Sequence, residues 1–316
     1  MTDIITLRAG DAAMKLAPAA GGAITRYWHE RGGTTWEWLR PPPLTPAIPP
    51  PGRGQAEGAA AAFPLVPYSN RIRNGRFTFR GRTVQLPLNF PPEHHSIHGQ
   101  GWQSAWRVLE ATADQARLEY THAAAAWPWT YRATQRFQLA PDHLRVSLTL
   151  VNESPEPMPA GLGWHPYFVR TAAATITAAV AAVWLTDDEM MPTTRDTSRA
   201  ARLTRGIAVE RVALDNCCVG WSGRASLEWP ERTARMTMTA EPPLESLMVF
   251  TPPQKPFFCV EPVSHVTDAF NRAAAGRTDT GMRVLESGEA LQASVTLAVE
   301  APSNPDTAGT GQERPE

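Results

Sequence analysis

Proline restricts this chain more than any other residue: 30 of its 316 positions are proline, roughly twice the usual frequency. Inside a helix a proline costs about 3 kcal/mol, because it lacks an N–H and its ring collides with the preceding turn. Scattered at this density, prolines exclude a mostly helical protein and favour short extended segments broken by turns. The hydrophobic pattern agrees. From Leu144 to Leu150 apolar and polar residues alternate strictly, and Thr134–Leu139 does the same, which is the period of a half-buried strand. Between them Ala140-Pro141-Asp142-His143 carries turn chemistry, so the two runs predict a hairpin. A second hairpin is expected from 76–80 and 83–86. Further strands are expected at 105–110, 116–121, 225–229, 234–239, 246–250, 257–261 and 291–299. No amphipathic stretch of 12 residues or more stands out, and 269–275 has room for one or two helical turns. Many short strands separated by turn signals predict an all-β fold, a large antiparallel sandwich or barrel.

Two segments depart from that pattern. Residues 41–62 hold seven prolines within 41–51 and then an alanine run, which predicts a surface loop with polyproline character. Residues 301–316 lack apolar anchors, which predicts a disordered tail. The remainder, 1–300, is expected to form one domain. A formal net charge of −1 gives no electrostatic footprint for nucleic acid or for an anionic membrane. No apolar run approaches the length of a membrane span, and the first residues do not form a signal peptide. The three cysteines, Cys217, Cys218 and Cys259, are odd in number and two are adjacent, which disfavours a disulfide pair. A cytoplasmic protein is expected.

Polar side chains interrupt apolar sequence in four places. Arg71, after Asn70, sits between a hydrophobic segment and a strand, as either a ligand-facing donor fork or half of a surface salt bridge. His94, His95 and His98 lie close together. They suggest metal only weakly, because a spacing of three puts His95 and His98 on opposite faces of a strand. His165 is set among Trp164, Pro166, Tyr167 and Phe168, where it needs a hydrogen-bond partner or has its proton affinity altered by burial. Glu261 ends the hydrophobic run Phe257–Val260. An ionised glutamate is costly to bury unless paired, so it is either functional or matched to an arginine.

Together these blocks resemble the aldose 1-epimerase (galactose mutarotase) family. The ordered set is Asn70-Arg71-Ile72 with Gly75 and Phe77, Ile97–Trp102 (IHGQGW), Gly161–Phe168 (GLGWHPYF), Leu214–Asn216 (LDN), Phe258–Pro262 (FCVEP) and Asp268–Asn271 (DAFN). The resemblance implies a large antiparallel β-sandwich and a cofactor-independent, metal-free interconversion of α and β sugar anomers. It implies Glu261 as general base on the anomeric hydroxyl and His165 as general acid on the ring oxygen. By the same resemblance His98 lies near the ring oxygen, Asn70, Arg71 and Asp215 bind sugar hydroxyls, and Tyr167 lines the substrate. Trp102 and Trp164, inside the motifs, are expected to offer their faces to the sugar. His165 must carry a proton when substrate is bound, so a carboxylate is expected beside it.

Two positions depart from the family pattern: Met248 where typical galactose mutarotases have glutamine, and Trp164 where they have asparagine. The expected partner is a small sugar, with no nucleic acid and no membrane. Three alternatives stay open: a carbohydrate-binding protein without catalysis on the same fold, a hexose-6-phosphate 1-epimerase, and a metal-dependent enzyme built on His94, His95 or His98.

Overall fold

A computed structural model describes residues 4–41 and 60–300. Most of the proline-rich stretch, 42–59, and the tail 301–316 lie outside the described residues, as does the loop character expected for them. At its edge the expected loop is shortened, because Ala62 already begins the strand Ala62–Leu65.

Two large antiparallel sheets, of eleven and nine strands among the described residues, enclose one continuous hydrophobic cluster. The nine-stranded sheet contains the alternating segments. Tyr131–Leu139 and His143–Asn152 pair along their whole length, with Leu139 opposite Leu144, and Ala290–Glu300 follows on the other side of His143–Asn152. In each strand every second residue is buried, so one face meets the core and the other faces solvent. The smaller hairpin forms between Arg76–Phe79 and Arg82–Gln85. The remaining expected strands are present with ends moved by a residue or two.

The eleven-stranded sheet behaves differently at its centre. Gly163–Val169, Phe257–Val263 and Ser246–Phe250 are buried at nearly every position. Their second face is therefore covered too, by segments that wall a cavity. The helices are short: Ala269–Ala274, as expected, and Thr197–Arg205, which the pattern did not predict. No helix among the described residues is long and apolar enough to cross a membrane. Cys217, Cys218 and Cys259 are free thiols and buried. Trp127, Trp129 and Trp229 are core packing residues.

Candidate active site

The register of the central strands builds a row of side chains across the eleven-stranded sheet. Phe63 is opposite His165, and the pairs Gly163–Val263 and Tyr167–Cys259 set His165 opposite Glu261. Glu261 is in turn opposite Met248, and Met248 opposite Cys217. Directly opposed residues project to the same face, so an imidazole and a carboxyl become neighbours although 96 residues separate them in the chain. His165 Nε2 lies 3.2 Å from Glu261 Oε1, with the two side chains only 9% and 4% exposed.

This pair forms the floor of a cavity of about 630 Å³, within the size range of small-molecule sites. All seven residues singled out in the sequence line it: Asn70, Arg71, His98, His165, Tyr167, Asp215 and Glu261. Sequence reasoning missed several others, among them Arg40, Phe63, Phe257 and the acid Glu93. Arg40 had one available signal, a cation set directly before a proline run. Its Nε donates to Ala60 O at 2.8 Å, and its guanidinium sits 3.6 Å from the centre of the Tyr167 ring. Tyr167 in turn stacks on His165 with centroids 4.6 Å apart.

The walls come from two loops tied to each other. Asn70 and His98 both have left-handed backbone, φ 57° and 63°. The Asn70 N–H donates to His98 Nδ1 and the His98 N–H donates to Asn70 O, each at 3.0 Å. Because Nδ1 accepts, the neutral ring carries its proton on Nε2 as a donor. Burial holds the His98 imidazole well below its usual pKa, reinforced by His165 and Arg71. Val66 O accepts the N–H groups of Gln100 and Gly101 at 3.1 and 3.2 Å. Gly99 passes so close that a Cβ there would stand 2.1 Å from that same oxygen. On the other side His265 Nε2 accepts the Ser69 N–H at 3.0 Å, fixing the residue before Asn70.

Arg71 is paired with acids, but in the cavity wall rather than at the surface. Its Nε donates to Glu93 Oε2 at 3.0 Å and its Nη2 lies 3.6 Å from Asp215 Oδ2, while the guanidinium still faces the cavity. Burial raises the Asp215 carboxyl, and Arg71 partly offsets this. Asn70 Oδ1 accepts the Arg71 N–H at 2.8 Å, which turns its amide nitrogen toward the cavity.

Burial likewise governs the central pair. It lowers His165 to about 3, with the Arg40 charge adding to the effect. It raises Glu261 well above the usual carboxyl range, helped by Asp215. The expected carboxyl group is therefore present beside His165, and burial favours the uncharged form of each partner. His165 Nε2 and Glu261 Oε1 stand at hydrogen-bond distance, 3.2 Å, so a proton on either atom can be held between them.

One expectation is corrected. Trp164 directly precedes His165 on the strand and so points to the opposite face; it is 1% exposed in the core and does not line the cavity. Its departure from the family pattern therefore makes no direct contact with a ligand there, whereas Met248 does line the cavity, as does Trp102. The clustered histidines diverge, as their spacing predicts. His95 accepts the Asn74 N–H on Nδ1 and donates from Nε2 to Glu189 O, whereas His98 faces the sugar-sized cavity.

The fold is that of the galactose mutarotase-like β-sandwiches. A crystal structure from Escherichia coli K12 superposes with a TM-score of 0.83 at 28% identity, covering 95% of this chain and 99% of that one. A galactose mutarotase-like protein from Clostridium acetobutylicum gives 0.78 at 20% identity, over 94% and 95%. A galactose 1-epimerase from Lactobacillus acidophilus gives 0.71 at 14%, over 94% of each. The chain belongs to the aldose 1-epimerase family, whose profile matches residues 3–298. Among curated relatives, the uncharacterised Escherichia coli K12 protein YphB is 30% identical over 295 residues, 89% of this chain and 93% of its own length.

Proposed function

We propose that the protein is a mutarotase that opens and recloses the ring of an aldose, with Glu261 as base and His165 as acid. The observation that carries this reading is the buried 3.2 Å contact between His165 Nε2 and Glu261 Oε1. Ring opening must remove a proton from the anomeric hydroxyl O1 and deliver one to the ring oxygen O5. These oxygens share one carbon, so the two catalysts must also be adjacent, as a cross-strand pair is.

Proton balance fits the pair's two tautomers. A closed sugar meets the ion-pair form, carboxylate and imidazolium. As C1–O5 breaks, O1–H passes its proton to Glu261 and His165 passes its proton to O5. The open aldehyde then faces neutral acid and neutral imidazole, the form that desolvation favours. Rotation about C1–C2 presents the other carbonyl face, and reversing both transfers closes the second anomer. Each positioned catalyst contributes about 10²–10⁴-fold.

The other cavity groups then hold the sugar. His98 offers its Nε2–H near O5, Asn70, Arg71 and Asp215 address hydroxyls, and Tyr167 backs the imidazole of His165. Met248, beside Glu261 in the row, has no directional donor or acceptor, which supports a sugar preference different from that of relatives with glutamine there. The same reading takes the described strands and both loops as one domain within 1–300.

The test is polarimetry or NMR of freshly dissolved aldoses, including hexose 6-phosphates, with wild type and His165→Asn. Accelerated α-to-β conversion by wild type and its loss in the variant is the expected result. No acceleration of any sugar, with sugars still binding, would leave a carbohydrate-binding protein. Acceleration confined to the 6-phosphates would assign the narrower substrate class.

A further inference from the structure

Cys259 has no part in the proton transfers above, yet it lies against the pair that performs them. It stands two residues before Glu261 on the same strand, so both project to one face, and its cross-strand neighbours are Tyr167 and Phe250. Among the described residues it forms no disulfide. His165, Cys259 and Glu261 each present one ligating atom, all within 4.8 Å of one another, and all three residues are buried.

We propose that His165, Glu261 and Cys259 form a binding site for a divalent cation of the zinc class, and that its occupancy excludes mutarotation. Zinc binds nitrogen and oxygen at about 2.0–2.2 Å in tetrahedral sites, which sets neighbouring ligands roughly 3.3 Å apart. The imidazole and carboxyl, 3.2 Å apart, already span such an edge. Bringing the sulfur, with its longer bond of about 2.3 Å, onto the same centre needs a closing of about 1 Å by side-chain rotation. A thiolate, a carboxylate and a neutral imidazole cancel the charge of a divalent ion, so a desolvated floor does not oppose the complex as it would an unpaired charge. Mixed sulfur, nitrogen and oxygen donors favour zinc or cobalt over magnesium and calcium. His165 and Glu261 line the cavity, from which a water would complete the shell as the fourth ligand. The ion takes the lone pairs with which His165 and Glu261 hold their shared proton. It therefore displaces that proton and the thiol proton to solvent, and the acid–base pair is lost while the metal is bound. The site itself stands on ligand geometry; only its inhibitory consequence rests on the mutarotase reading.

Cobalt(II) titration of the chelator-treated full chain tests the site. One equivalent should produce a thiolate-to-cobalt charge-transfer band, which zinc abolishes on displacing the cobalt. Cys259→Ala should remove the band and weaken binding at least tenfold. Glu261→Gln, which keeps the thiol, should also weaken binding at least tenfold and serves if Cys259→Ala does not fold. Zinc should inhibit turnover at least tenfold less well in Cys259→Ala, each rate taken relative to that variant's own metal-free value. Absence of a thiolate band in wild type overturns the proposal, as does a band that survives Cys259→Ala. Turnover that persists with the site filled by cobalt overturns the exclusion. If the cobalt band forms but no sugar is turned over even without metal, the site stands and the mutarotase reading fails.

Discussion

Glu261→Gln separates the chemistry of the central pair from its cost to the fold. The substitution keeps shape and volume, and the new amide can still donate to His165 Nε2 across the 3.2 Å gap, so the sheet register is retained. It removes the acid positioned against His165. With both side chains under 10% exposed, bulk water is poorly placed to act as the base. The loss should therefore reach the upper part of the general-base range, about 10³–10⁴-fold in kcat/KM, or roughly 4–5.5 kcal/mol of transition-state stabilisation.

Stability should move the other way, with a defined pH dependence. In the unfolded chain Glu261 titrates near 4.5 and His165 near 6.5; in the native cavity the first is raised and the second falls to about 3. Between pH 4.5 and 6.5 the pair binds one proton in both states, on the glutamate when folded and on the histidine when unfolded, so its contribution is flat. Above pH 6.5 a native carboxyl that is still protonated holds a proton that the unfolded chain has lost. Wild-type stability then falls by up to about 1.4 kcal/mol per pH unit until the raised glutamate pKa is reached. In Glu261→Gln only the histidine remains: stability rises with pH up to 6.5 and is flat beyond. Urea melts at pH 5, 6.5 and 8 measure the difference, which should grow in favour of the variant at each step, while polarimetry follows turnover. Turnover near the wild-type rate would refute the base assignment. A stability difference that does not change with pH would refute the claim that burial keeps the carboxyl protonated.

Two further substitutions probe the walls and the row. Gly99→Ala combines a φ of +69° with a Cβ 2.1 Å from Val66 O, so it should destabilise by several kcal/mol and lower Tm sharply, whereas Gly33→Ala, at φ +73° with nothing within 4 Å, should cost only about 1 kcal/mol; equal Tm losses would show that close approach is not what requires Gly99. Met248→Gln places a donor and acceptor beside Glu261 and should change relative kcat/KM among aldoses by about tenfold; an unchanged ranking across the sugar panel would remove Met248 as a specificity residue.

How much of this was legible in the sequence depended on which faces are wet. Tyr131–Leu139 and His143–Asn152 alternate because one face meets solvent, and their hairpin was readable to within a few residues. Gly163–Val169 and Phe257–Val263 are covered on both faces, so their periodicity is erased. There the informative feature was chemical: a histidine and a glutamate embedded in apolar runs where neither is cheap. The ordered motifs supplied the family and seven of the residues that line the cavity. Parity along a strand supplied a constraint that motif membership overrode, since neighbours such as Trp164 and His165 cannot face the same way. Arg40 and Phe63 were not identified as site residues because their places depend on cross-strand register and packing between segments far apart in sequence, whereas Met248 stood out only as a departure from the family motif. The helix Thr197–Arg205 buries only Ala200 and Leu203, too narrow an apolar stripe to stand out.

The site divides its work between two kinds of structure. Its floor, to which we assign the acid–base pair, stands on the central strands Gly163–Val169 and Phe257–Val263, where ladder hydrogen bonds fix which side chains are neighbours and a shift by one residue would send His165 or Glu261 to the other face. Its walls stand on left-handed turns, Asn70 and His98, each bonded to the other's backbone, with His265 holding the residue before Asn70. Proton transfer needs one separation kept constant for every sugar, and strands supply that. Hydroxyl recognition must differ between sugars, and the loops and the single row position of Met248 can change without moving the floor. A departure at Met248 with His165 and Glu261 retained is therefore the pattern expected of a change in substrate on a preserved reaction.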